Sequence, residues 1–363
     1  MPTILSVAEV IPPYEIKQTQ ATEFARELFS GSFKEIGRLL KAFENGLIEK
    51  RHFVNPVGWF QENHSFEEKN NVYIESAVTL GREAVVKCLD NNQFLKKKIP
   101  YEDIDAIFYI STTGIATPSI EARIMNLLPF HLHTKRIPIW GLGCAGGAAG
   151  LARAFEYCMA FPKAKVLVLS VELCSITFQQ NDLSKSNLIG TSLFADGVAC
   201  ALICGDSCDI GDFRLKNTYP SILAVQSALL PDSLDVMGWD IKNEGLFVRF
   251  SRDIPTIVHN WLKPVAEEFL HVHRLQIDKI DYFIAHPGGK KVLDAYVESL
   301  GIPASMTDVS LEVLKNFGNM SSATILYVLK QYMEMDIPRG SNGLCAALGP
   351  GFSSEMLLLR WFE

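Results

Sequence analysis

A chain of 363 residues, 48% of them hydrophobic and 21% charged, can bury a large core as one big domain or as two of about 180 residues. A formal charge of −7 at pH 7 argues against nucleic acid as a partner, because phosphate backbones need a basic surface. The eight cysteines (88, 144, 158, 174, 200, 204, 208 and 345) form no CxxC pair and lie mostly in apolar runs such as GVACALIC, which suits reduced, buried thiols and excludes a disulfide framework.

The first residues, MPTILSVAEVIPPYEIKQ, hold no basic stretch followed by a sustained apolar one, and no run of about 18 apolar residues occurs anywhere. No secretory leader and no membrane span are expected, and a cytoplasmic protein follows. In chain order, helical spacing predicts a helix over 72–98, then strands over 104–111 and 136–143. A helix over 146–160, strands over 165–173, 197–204 and 221–229, and a helix over 255–273 come next. A strand over 280–287, a helix over 321–335 and a strand over 354–362 complete the reading. Strands alternating with helices indicate an α/β class with mixed sheets. No low-complexity segment or Pro/Gly/Ser-rich linker divides the chain.

Two stretches echo each other. GLGCAGGAAGLARAF and NFGNMSSATILYVL each run from a glycine through a polar side chain into a helix that opens with small residues. Small residues let helices approach closely, so both helices are expected to be central, with Cys144 and Asn319 at their N-termini. A duplicated arrangement with halves 1–210 and 211–363 fits this pattern.

Gly141, Gly143 and Gly146 spell GxGxxG, the fingerprint of a dinucleotide loop. Cys144 sits inside the same turn, where a helix N-terminus would stabilise a thiolate and its N–H groups could hold an oxyanion. The local residues leave a nucleophile, a cofactor loop and simple packing open. Glu172, 26 residues past Gly146, is only a loose match to the acid that would bind a ribose, and several strands precede the fingerprint. His286 ends an apolar strand before Pro287 and a Gly pair, at the strand edge where α/β folds place chemistry. Asn319 follows Gly318 at a helix start, a position that an ordinary N-cap would also explain. Three polar residues of complementary type at strand-to-helix junctions favour a nucleophile site. The HxH pairs at 131/133 and 271/273 lack companions at ligand spacing, so no metal site is expected. GxxxxGK[ST], HExxH and GxSxG are absent from the sequence.

With GLGCAGGAAGL, SLFADGVACALI, AHPGGKKVLD, GNMSSA and LGPGFSSEMLLL in this order, the chain resembles type III polyketide synthases of the chalcone and stilbene synthase superfamily nearly end to end, bacterial alkylpyrone synthase-like members above all. The resemblance implies a thiolase fold, a duplicated five-layer αβαβα arrangement, and a homodimer. It also implies acyl-CoA and malonyl-CoA substrates and no cofactor. Carried over by motif, Cys144 is the nucleophile, His286 and Asn319 are its catalytic partners, and Phe194 is the gatekeeper between CoA tunnel and cavity. Arg38 and Lys41 take the CoA-binding positions, with Asn45 where the family has a third cation. Thr117, Cys174, Thr177 and Ser321 are expected to line the cavity, and Leu348 replaces the phenylalanine of the usual GFGPG. The expected chemistry is decarboxylative condensation of malonyl-CoA onto a long-chain fatty acyl-CoA through acyl-Cys144, giving alkylpyrones or alkylresorcinols. The thiolate would be held by His286 and the helix dipole. Alternatives are a tetrahydroxynaphthalene-type synthase that starts from malonyl-CoA, and a ketoacyl-ACP synthase III.

Overall fold

The computed structural model describes residues 1–31, 33, 35–251 and 253–362. The chain begins with β1 (Thr3–Val10) and an antiparallel ribbon of β2 (Tyr14–Lys17) and β3 (Lys50–Phe53), with α1 (Gln18–Phe29) and α2 (Ile36–Asn45) between its strands. The long helix α3 (Phe66–Leu89) starts six residues before the expected point, because Ser65 and Glu68 close a capping box: Ser65 Oγ accepts from the Glu68 N–H at 3.2 Å, and Glu68 Oε2 accepts from the Ser65 N–H at 2.7 Å. It stops at Leu89, nine residues short of the periodic pattern. There the Ile99 N–H donates back to the Leu89 carbonyl, and the turn tucks Phe94 and Leu95 into the core.

Next come β4 (Ala106–Ile110), α4 (Ile120–Met125), β5 (Lys135–Ile139), α5 (Gly146–Ala160), β6 (Lys165–Leu173), α6 (Lys185–Leu193) and β7 (Asp196–Cys204). The second part contains β8 (Tyr219–Leu229), a two-stranded ribbon of β9 (Met237–Lys242) and β10 (Gly245–Phe250), α7 (Ile254–Val272), β11 (Tyr282–Ala285), α8 (Lys290–Leu300), α9 (Asp308–Phe317), α10 (Thr324–Glu334), β12 (Asn342–Gly349) and β13 (Ser353–Phe362). All seven strands read from the sequence form. It gave no sign of β12, whose glycines and alanines carry little β-branching, or of the β9–β10 ribbon.

The main sheet runs β11-β12-β13-β8-β1-β7-β6-β4-β5. Outward from β1, the next two pairings are antiparallel (β1 with β7, β7 with β6) and the third is parallel (β6 with β4). Outward from β8 the same order recurs: β8 with β13 and β13 with β12 antiparallel, β12 with β11 parallel. Thr3 opposite Ser221 joins the two sets. Helix α5 precedes β6, and α10 precedes β12 in the equivalent slot. Both helices contact strands of both sets, so they form the central layer of the five, with α3 and α7 outside. Their closeness depends on glycine: a Cβ on Gly147 would stand 2.1 Å from the Ser322 carbonyl oxygen and 2.5 Å from Ile325. The small residues at the start of both motifs are what allow this contact.

Candidate active site

β5 leads into a turn in which Gly141 (φ +94°) and Gly143 (φ +48°) take backbone conformations that side chains resist. Cys144 follows at the mouth of α5 and is partly buried. A Cβ on Gly143 would meet Pro350 at 2.7 Å, and one on Gly349 would meet the Leu142 carbonyl oxygen at 2.5 Å. The GPG loop between β12 and β13 thus packs directly on the Cys144 turn. Above Gly146 and Gly147 the space is filled by Ser322 of the opposing turn, which leaves no room for a pyrophosphate. The glycines serve packing and the turn, and the dinucleotide reading fails on that ground.

Asn319 lies 175 residues away in sequence, and Cys144 Sγ donates to its Oδ1 at 3.8 Å. The same Oδ1 accepts from the Ser321 N–H at 2.9 Å, while Nδ2 donates to the Gly288 carbonyl at 3.2 Å. Two backbone groups of opposite polarity therefore fix which way the amide points. Gly288 stands two residues after His286, which directly follows β11 and keeps the ladder going through its own N–H to the Ala346 carbonyl at 2.9 Å. The imidazole is 2% exposed, and neither ring nitrogen has a partner among the described residues. Asn319 is thus the hub that touches the cysteine on one side and the histidine's loop on the other.

Burial sets the electrostatics. It pushes the Cys144 thiol up to about 12, a rise that the hydrogen bonds made with Ser321 and Asn319 only partly oppose, and it pushes His286 down to about 3. Burial thus disfavours the thiolate at Cys144 and the imidazolium at His286 alike.

Behind the sulfur, Glu172 is fully buried on β6. It accepts from the Thr112 N–H at 3.0 Å, from the Thr112 hydroxyl at 3.1 Å and from the Ser322 hydroxyl, and burial still raises its carboxyl to about 7. It is tied to the start of the α10 turn and reaches no ribose site. A lone acid in the apolar run KVLVLSVEL was the available sign of such a role.

The remaining expected residues divide. Ser321 is buried beside the sulfur at φ +49°. Cys174 and Thr177 are buried in the turn after β6. Together with Phe194 they border a narrow cavity of about 60 Å³, lined also by Phe24, Phe53, Phe60 and Phe178. Phe194 caps α6, and its ring packs on Phe250 at 5.5 Å and Trp239 at 6.0 Å, both from the β9–β10 ribbon. Thr117 stands exposed in the loop after β4, beside Pro118, and is not among the residues that border this pocket. The loop runs buried over 111–114 before it reaches solvent at Ile115, a path that residue type alone could not reveal. Arg38, Lys41 and Asn45 form one exposed stripe on α2, with Arg38 3.6 Å from Glu35. Leu348 is buried in the β12 wall.

The chalcone and stilbene synthase N-terminal domain model matches residues 3–207, and the C-terminal domain model matches residues 221–362. The chain belongs to the chalcone and stilbene synthase family. It is a type III polyketide synthase, an enzyme of CoA-dependent Claisen condensation with a thiolase fold. A protein of Bacillus subtilis (strain 168) provisionally named a chalcone synthase is 54% identical over 99% of both chains. The 1,3,6,8-tetrahydroxynaphthalene synthase of Streptomyces peucetius subsp. caesius is 34% identical, over 99% of this chain and 93% of its own. Among solved structures, the tetrahydroxynaphthalene synthase of Streptomyces coelicolor A3(2) superposes with a TM-score of 0.90 at 29% identity, covering 99% of each chain. No helix among the described residues is long and apolar enough to cross a membrane.

Proposed function

We propose that this polyketide synthase transfers a long-chain fatty acyl group from acyl-CoA to Cys144 and extends it with malonyl-CoA to alkylpyrones or alkylresorcinols. The observation that carries this reading is the aromatic pocket beyond Cys174, Thr177 and Phe194, whose wall offers an acyl tail little but apolar surface. In loading, Cys144 Sγ attacks the thioester carbonyl as its proton passes to His286, and CoA leaves as the thiol after taking that proton back. Malonyl-CoA then loses CO₂, and the electron pair left behind forms a thioester enolate. His286 and the second Nδ2 hydrogen of Asn319 donate to the enolate oxygen. The enolate carbon attacks acyl-Cys144, the C–S bond breaks, the expelled Cys144 thiolate takes up a proton from solvent, and the lengthened chain, now on CoA, is loaded back onto Cys144 for another round. Phe194, backed by Trp239 and Phe250, keeps water from the enolate. Arg38 and Lys41 meet the CoA phosphates at the surface.

The chain acts as a homodimer in this reading. Strand β5 is an open sheet edge, and Ile115, Leu127, Trp140 and Phe161 are exposed apolar side chains on or near that edge. We place the boundary between the halves near residue 210. A second reading, malonyl-CoA as starter with a naphthalene-type product, draws on the two tetrahydroxynaphthalene synthases to which the chain is similar.

Mass spectrometry of products from purified protein, given malonyl-CoA with acyl-CoAs of graded length, separates the readings. Pyrone or resorcinol masses that require a long acyl starter support the first. A naphthalene-type product from malonyl-CoA alone replaces the starter and keeps the chemistry. A single condensation on malonyl-ACP, with none on malonyl-CoA, overturns both.

A further inference from the structure

Arg51 is 1% exposed, and nothing in its short ribbon strand, KRHF, marks it as special. Its Nη1 donates to the Thr191 carbonyl at 2.7 Å and to the Phe194 carbonyl at 2.8 Å, and Nη2 donates to Gln18 Oε1 at 2.9 Å. Gln18 Nε2 donates onward to the Ser192 carbonyl at 3.1 Å. These groups satisfy carbonyls at the C-terminal end of α6 that the helix itself leaves open, where a cation also opposes the helix dipole. The next free carbonyl, Leu193, accepts from the Asn319 N–H at 2.9 Å, and the Ala195 N–H donates to the Asn319 carbonyl at 2.9 Å. Phe194 and Asn319 are therefore locked side by side as a one-residue bridge. The stem of Arg51 also closes over the Asn319 side of the bridge: Gly318 has φ +71°, and a Cβ there would stand 2.8 Å from Arg51 Cγ.

We propose that Arg51, oriented by Gln18, is a positioning residue that sets the Phe194 ring and the Asn319 amide in one register, and so couples malonyl-CoA decarboxylation to carbon–carbon bond formation. This rests on the proposed function. The enolate formed by loss of CO₂ has two fates. It attacks acyl-Cys144, or it takes a proton from water and leaves as acetyl-CoA. Asn319 governs how readily the enolate forms, and Phe194 governs whether water reaches it. A fault in their shared anchor disturbs both at once, whereas a loss of folded enzyme lowers both products in proportion.

The test is Arg51→Lys and, separately, Gln18→Met, with acetyl-CoA and condensed products quantified from the same malonyl-CoA reaction. Lysine keeps the charge but cannot span two carbonyls and Gln18 with one compact ammonium. Gln18→Met keeps the volume and removes the support of the guanidinium. Circular dichroism and thermal melting establish that each variant is folded. The ratio of acetyl-CoA to condensed product rises about tenfold in the folded variants, the scale of a displacement of less than an ångström at reacting groups. A wild-type ratio in either folded variant, or loss of folding in both, overturns the assignment and makes Arg51 a strut of the fold. Wild-type enzyme that condenses nothing would instead overturn the proposed function, and the two failures are read in different samples.

Discussion

Replacing Glu172 with glutamine makes the folded enzyme's stability less dependent on pH. In the fold this carboxyl is buried and its pKa is raised from 4.5 to about 7, chiefly by desolvation. Between those values the folded protein keeps a proton that the unfolded chain has lost, so stability falls as pH rises through the window. For a shift of this size the penalty is about 0.8 kcal/mol at pH 5 and about 3.3 kcal/mol at pH 8. Glutamine carries no titrating proton. Relative to wild type, Glu172→Gln should therefore gain about 2.5 kcal/mol on going from pH 5 to pH 8, whatever it loses by weakening the bonds to Thr112 and Ser322. Urea unfolding of both proteins at the two pH values measures this directly. A stability difference that does not move with pH would show that Glu172 is ionised in the fold at pH 5, and would refute the burial argument. Above pH 7, where Glu172 is ionised, its charge also raises the Cys144 thiol, so at pH 8 the same variant should be alkylated by iodoacetamide faster than wild type at Cys144.

Cys144→Ala should abolish condensation of acyl-CoA with malonyl-CoA by product mass spectrometry; retained products would remove the nucleophile. Asn319→Ala should slow release of CO₂ from malonyl-CoA about a hundredfold, and an unchanged rate would remove its part in holding the enolate. Ala21, on α1, lines the aromatic pocket, so Ala21→Phe should lower kcat/KM for long acyl-CoAs about tenfold or more while sparing acetyl-CoA; equal losses across chain lengths would move the tail elsewhere. Gly147→Ala should destabilise the enzyme by about 3 kcal/mol or more in urea melts, since its Cβ has no space against Ser322.

The sequence by itself determined much of this protein. Apolar alternation and helical spacing placed β4 to β8, β11 and β13 and the helices α5, α7 and α10, because those signals depend on neighbours a few residues apart. The two small-residue helix starts pointed to a duplicated core, and the motif order pointed to the family. The ends of elements were less legible where capping decided them, as at Ser65. Tertiary structure decided what distant segments do to one another. Only the pairing of α5 with α10 brings Asn319 to Cys144. Only the loop path after β4 carries Thr117 out to solvent. Nothing in KRHF distinguishes Arg51, and it becomes the anchor of Phe194 and Asn319 because the ribbon lies against the end of α6. Burial likewise turns Glu172 from an ordinary carboxylate into a proton-holding group, and disfavours charge on both Cys144 and His286. A residue's type states which bonds it can make; the packing around it decides which it makes and whether it can hold a charge.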